Sequence, residues 1–187
     1  MTQISTAISD FVLSVVSFYC AGVLSRRYIY AAIGMSIIGF AAGVGTIRFF
    51  NIVSIQHQNS VVSLHMKLSW FAAIIGIPLI AASFSIKYRS SYGSELHIVS
   101  GIAGIIFSIL LPRSKNACTH FASTLAILSI LFQSFHAKNV LGMAGSVLYT
   151  VASIVVGTSG HFMGYLCIDI FHYFLVAANI VFVKALQ

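Results

Sequence analysis

The chain has 187 residues, 59% of them hydrophobic and 7% charged, with a formal net charge of +7. Soluble domains carry charge on about a quarter of their residues, so this composition excludes a soluble fold and points to an integral membrane protein. The basic excess does not call for nucleic acid, and no nucleic-acid partner is expected, because Lys and Arg at the ends of apolar segments meet lipid headgroups.

Seven apolar stretches approach the roughly 20 residues that cross a bilayer. They predict helices over Ile4–Leu24, Tyr28–Phe49, Leu68–Ile86, His97–Leu111, Phe121–Phe135, Val140–Val156 and Met163–Val183. The expected fold class is an all-α membrane protein: one single-domain bundle of seven transmembrane helices over residues 1–187, with no soluble domain. Charged turns separate the spans at Ser25-Arg26-Arg27, at Lys87-Tyr88-Arg89-Ser90-Ser91 and at Arg113-Ser114-Lys115-Asn116. Without the fourth span, among the shortest of the seven, the sidedness of every later element would reverse.

The first span has no basic stretch ahead of it, carries Asp10 early and runs on to Arg26, which reads as a retained helix rather than a cleaved secretory signal. In the second span Gly39 and Gly43 stand four residues apart, a spacing that lets another helix of the bundle approach closely. Pro78 falls inside the third span and is expected to kink it. Cys20, Cys118 and Cys167 have no paired spacing and are expected to be small buried fillers, not a disulfide or a metal motif.

Basic residues in short loops favour the cytoplasmic side. The loops after spans one, three and five, together with the C-terminus, hold Arg26, Arg27, Lys87, Arg89, Lys138 and Lys184, against Arg48, Lys67, Arg113 and Lys115 on the other side. The expected orientation is an external N-terminus and a cytoplasmic C-terminus.

An odd number of spans makes the first and last parallel, so Asp10 shares a leaflet with Asp169 and His172, joined there by His57, His65, His120 and His161. Five of seven histidines and two of three carboxylates therefore gather at one end. Asp169 and His172 are three apart on one helix side, and His161 lies only ~20° from His172 if the helix begins that early. Asp10 sits ~9 Å into the first span. An ionisable group at such depth is costly unless it faces the interior, pairs or binds something. The bland alternatives are an Asp169–His172 pair that only locks packing, and Ser9-Asp10 as a helix cap.

Together His57, His65, His161 and His172 form a candidate zinc-ligand set, with Asp10 and Asp169 as candidate catalytic carboxylates that orient or deprotonate a metal-bound water. The function this suggests is a metal-dependent hydrolase acting on a lipid ester or amide at the bilayer surface, with membrane lipid as its partner. The arrangement is loosely similar to the seven-helix membrane hydrolases typified by alkaline ceramidases and adiponectin-type receptors. The likeness lies in helix count, the early Asp10, a histidine near spans two and three, and Asp169 with His172 in span seven. Those families carry two histidines four apart in the last helix, whereas here His161 and His172 are eleven apart and position 168 is Ile168.

Two other classes compete. One is a b-type haem protein, with His65 and His120 around one haem or His97 and His136 around another. His120 and His136 are sixteen apart on the fifth span, ~160° around it, so they cannot both face a two-haem interior. The other is a small proton-coupled transporter or channel, in which intramembrane Asp and His relay protons, although the two halves show no internal repeat. A retinal-type Schiff base is disfavoured, since the seventh span offers only Lys184 at its end.

Overall fold

A computed structural model describes residues 3–52, 55–90 and 92–187. Ser91, the last residue of the charged turn after the third span, lies outside the described residues. The described residues form seven long helices: α1 Ile4–Leu24, α2 Ile29–Phe50, α3 Gln58–Lys87, α4 Gly93–Leu110, α5 Lys115–His136, α6 Val140–Val156 and α7 Cys167–Leu186. All but α6 are long and apolar enough to cross a membrane; α6 is the shorter apolar helix. The all-α bundle expected from the sequence is the fold.

Neighbouring helices α1, α2, α3, α5, α6 and α7 close into a ring, α7 returning to α1, and α4 packs outside against α3 and α5. Polar residues on α1 and α4 concentrate on the interior face. On α1 the buried stripe holds Thr6, Ser9, Asp10, Ser14 and Ser17 beside Ala7, Leu13, Cys20, Ala21 and Leu24; on α4 it is His97, Gly101, Gly104 and Ser108. Both follow the 3.6-residue period. Large apolar side chains such as Phe11, Ile106, Ile109, Phe121 and Phe132 cover the outside instead. A soluble protein does not expose so much contiguous apolar surface, whereas lipid is a good solvent for it.

Small residues set the close approaches. Ser14 donates to the Gly39 carbonyl at 2.9 Å, and Gly39 lies under the Phe18 ring, so the glycine face of α2 receives α1. Between α2 and α3 the contact is at Gly34, whose missing side chain leaves room for the Gly76 carbonyl. At the far end Lys87 Nζ and Asn139 Nδ2 donate to the Ala185 carbonyl at 2.5 and 2.9 Å, satisfying an orphan acceptor in the last turn of α7.

Several features differ from the expectation: α4 begins at Gly93 instead of His97 and α5 at Lys115 instead of Phe121, and three further differences bear on the site. Helix α3 begins at Gln58, ten residues before Leu68, and is 30 residues long. Polar residues such as Asn59, His65 and Lys67 lower the local hydropathy without interrupting the backbone hydrogen bonds. The irregularity expected at Pro78 lies one turn earlier, as a π-helical turn at Ala72–Gly76. Pro78 has no N–H to give the carbonyl four residues back, and the helix adjusts there. Finally, α7 begins at Cys167, after a short antiparallel hairpin pairing His161 with Leu166 and Phe162 with Tyr165. Gly160 and Gly164 hold φ of +88° and +85° there, a left-handed backbone that ends any helix and suits glycine. The predicted polar stripe on the last span therefore loses His161.

Candidate functional site

At the end of the bundle where α1 and α7 begin, four buried side chains interlock. Ser9 Oγ lies 2.9 Å from His172 Nδ1, 3.0 Å from the Thr6 carbonyl and 3.4 Å from Asp169 Oδ1. His172 Nε2 lies 3.4 Å from Asp10 Oδ1. Adjacent residues Ser9 and Asp10 thus take the two ring nitrogens of one imidazole, and Ser9 carries the link on to Asp169. Asp169 and His172, expected as direct partners three residues apart, meet through Ser9.

Helices α2 and α3 add the other side. Arg48 Nη1 donates to His65 Nδ1 at 2.9 Å. A guanidinium only donates, so Nδ1 accepts and the ring proton of neutral His65 is on Nε2. Gly45 makes the meeting possible, since a side chain there would strike Asp10 Oδ2 and approach His65 Nε2. Asp10 is 1% exposed, and its Oδ2 has no hydrogen-bond partner among the described residues.

These groups border a cavity of about 570 Å³, walled by residues of every helix except α4. Asp10, His65, His120 and His172 line it, together with aliphatic side chains such as Leu13, Ile38, Ile77, Ile127 and Leu175. Tyr149 lines it too; its hydroxyl donates to Asn179 Oδ1 at 2.7 Å, and Asn179 Nδ2 donates to Ser17 Oγ at 3.0 Å. Two π-helical turns, Ala72–Gly76 on α3 and Val151–Val156 on α6, contribute Ala72, Ala73, Ser153 and Ile154 to the walls. Departures from α-geometry within membrane helices are tolerated where they line a cavity, and π turns recur at functional sites.

Of the candidate site residues, Asp10, Asp169, His65 and His172 come together around this cavity or its bordering network. His57 is exposed in the short helical turn before α3, and His161 is exposed in the hairpin before α7. No group of three or more His, Cys, Asp or Glu side chains among the described residues is arranged to hold a metal ion. The donors are not poised for zinc: His65 Nδ1 is taken by the Arg48 N–H, which leaves the ring proton on Nε2, and His172 has both ring nitrogens facing Ser9 and Asp10. Of the haem pairs, His65 and His120 share the cavity. His97 is buried against Ser129 Oγ at 2.9 Å, while His136 is exposed against Phe132.

Sequence reasoning missed Ser9, except as a cap, and missed Gly45, Arg48, Tyr149 and Asn179 as parts of the site. Asn179 carried a usable signal, being a polar amide deep in an apolar span. Gly45 carried none without knowledge of what it faces. Comparison with protein-family models, curated proteins and solved structures finds no match for the chain. Fold and site together define a membrane-type helical bundle with an Asp/His cluster at one end, beside a half-open cavity.

The Ser9 link makes a definite prediction. In a double-mutant cycle, Asp169→Asn and His172→Gln should couple by about 1 kcal/mol, the scale of an interhelical hydrogen bond in membranes. In a Ser9→Ala background that coupling should vanish, while the Asp10–His172 coupling persists. Unfolding of the purified variants checks this, and an unchanged Asp169–His172 coupling in the Ser9→Ala background would show the link to be direct.

Proposed function

We propose that this is a multi-pass membrane protein that takes an amphiphilic, lipid-class molecule into the bundle and moves protons at its polar group with Asp10 and His172. The observation that carries this reading is Asp10, a fully buried carboxylate on the wall of a largely apolar cavity with one oxygen unpartnered among the described residues. Such a group persists in a span only where it faces an interior, pairs or binds something. His172 answers part of that requirement, and a ligand answers the rest. The cavity falls within the roughly 300–1,000 Å³ of small-molecule sites.

The chemistry that fits is general acid–base hydrolysis of a lipid ester or amide. A water between the ligand carbonyl and the Asp10–His172 pair gives its proton to that pair as its oxygen bonds to the carbonyl carbon, and the proton then passes to the leaving oxygen or nitrogen. No step runs through a metal. In reconstituted vesicles, release of product from a fluorogenic acyl ester or acyl amide should fall by about 10²-fold or more in Asp10→Asn and in His172→Gln. Equal release from all three proteins would refute the assignment.

The π-helical turns in two walls of the same cavity favour a second reading, proton-coupled passage of the same ligand. Uptake of an unaltered amphiphile into vesicles, without product release, selects it.

Insertion is proposed with the N-terminus and the cavity end outside and the C-terminus in the cytoplasm. Cysteines placed at Ser60, Asn116 and Ser159 should label from the outer side and one at Lys138 from the inner side. Ser60 and Ser159 on opposite sides would contradict a one-sided site.

A further inference from the structure

We propose that the cavity selects a positively charged amphiphile, a long-chain primary amine whose ammonium group meets Asp10 while its chain lies along the aliphatic wall. This rests on the reading of the cavity as an amphiphile site and goes further by fixing the sign and hydrogen-bonding character of the ligand's head. The first support is formal charge. Asp10 is the one acidic residue on the cavity wall, and no Lys or Arg among the described residues lines it. Arg48 is near enough to act electrostatically on Asp10, but its side chain lines a separate polar depression and its Nη1 is engaged with His65.

The second support is where the hydroxyl protons go. Thr119, Ser123, Thr150 and Ser153 each donate to the backbone carbonyl four residues back, at 2.7, 2.9, 2.9 and 2.8 Å. Tyr149 donates to Asn179 at 2.7 Å. A hydroxyl has one proton and two lone pairs, so these five of the eight wall hydroxyls, beside Ser69, Thr124 and Thr158, have spent their protons and keep lone pairs, one of those on Thr119 taken by the Trp70 N–H. An ammonium group is the converse, three donors and no acceptor. It matches both this wall and the unpartnered Asp10 Oδ2, the buried atom that points to a ligand independently of the cavity's composition.

The test uses the protein reconstituted in bilayer discs, with dodecylamine, dodecanol and dodecanoate as probes, each corrected for partition into empty discs. Trp70 is the single tryptophan, and its indole N–H donates at 2.9 Å to Thr119, a wall residue, so its fluorescence reports occupancy. Dodecylamine should bind about tenfold or more tighter than dodecanol, the scale of one charge-assisted hydrogen bond, and dodecanoate weakest. Asp10→Asn should erase the preference for the amine, whereas Glu95→Gln, at the exposed start of α4 and away from the cavity, should keep it. Equal binding of the amine and the alcohol by the unsubstituted protein, or tighter binding of dodecanoate, overturns the inference and leaves the amphiphile site standing. Saturable binding of none of the three overturns both.

Discussion

Gly45→Ala is expected to abolish the activity of the site without removing a single polar group. The added methyl would sit where Asp10 Oδ2 now lies and press on His65 Nε2, leaving no room for both. Asp10 has a short side chain on a helix wedged between α2 and α7, so its carboxylate must turn away from His172 or α1 must move off α2. Either way the proton-handling pair is dismantled. Amphiphile binding and product release should therefore fall to the level of Asp10→Asn, a loss of about 10²-fold or more in turnover. Gly43→Ala is the control, since its methyl meets only Ser14 Oγ, at 3.2 Å, and it should retain most activity. Activity assays on the two alanine variants, side by side, check the prediction.

The largest expected loss of stability is at Gly34. A methyl there would collide with the Gly76 carbonyl, which is backbone and cannot rotate away, and would meet Ile80 Cγ1 at 3.1 Å. Helices α2 and α3 must separate to accept it, close to the π-helical turn at Ala72–Gly76. Overpacking of this kind costs about 1–3 kcal/mol, and relief by rotamer change is not available. Gly22→Ala, by contrast, points into open space with nothing within 4 Å and should be neutral or slightly stabilising. Thermal unfolding in one detergent should rank Gly34→Ala far below Gly22→Ala, with Gly43→Ala between them.

Element number and sidedness were legible because they depend on quantities local to the chain. Hydropathy marked all seven helices, including the short α6, and parity alone put Asp10 at the same end of the bundle as Asp169 and His172. Helix ends were less legible. Hydropathy put the start of the third span at Leu68, yet backbone hydrogen bonding carries α3 back to Gln58, which places His65 inside the helix where Arg48 and the cavity meet it. On the last span the apolar run could be read back to Met163, while Gly160 and Gly164 turn the chain and leave His161 exposed. Pairing across helices was the least legible. Nothing in the spacing of Asp169 and His172 reveals that Ser9 of α1 stands between them, and nothing marks Gly45, among the many glycines of this chain, as the one that makes space for Asp10. The glycine pair chosen from spacing, Gly39 and Gly43, does pack inside the bundle, but against α1, while α2 meets α3 at Gly34.

The central claim is that an amphiphile occupies the cavity beside Asp10, and native mass spectrometry of the protein released gently from membranes tests it most directly. The unsubstituted protein should carry one copy of a small hydrophobic molecule. An Ala73→Trp variant, which places an indole on the cavity wall, should fold and lack that mass. No bound molecule on the unsubstituted protein, or the same bound mass on both, would contradict the account.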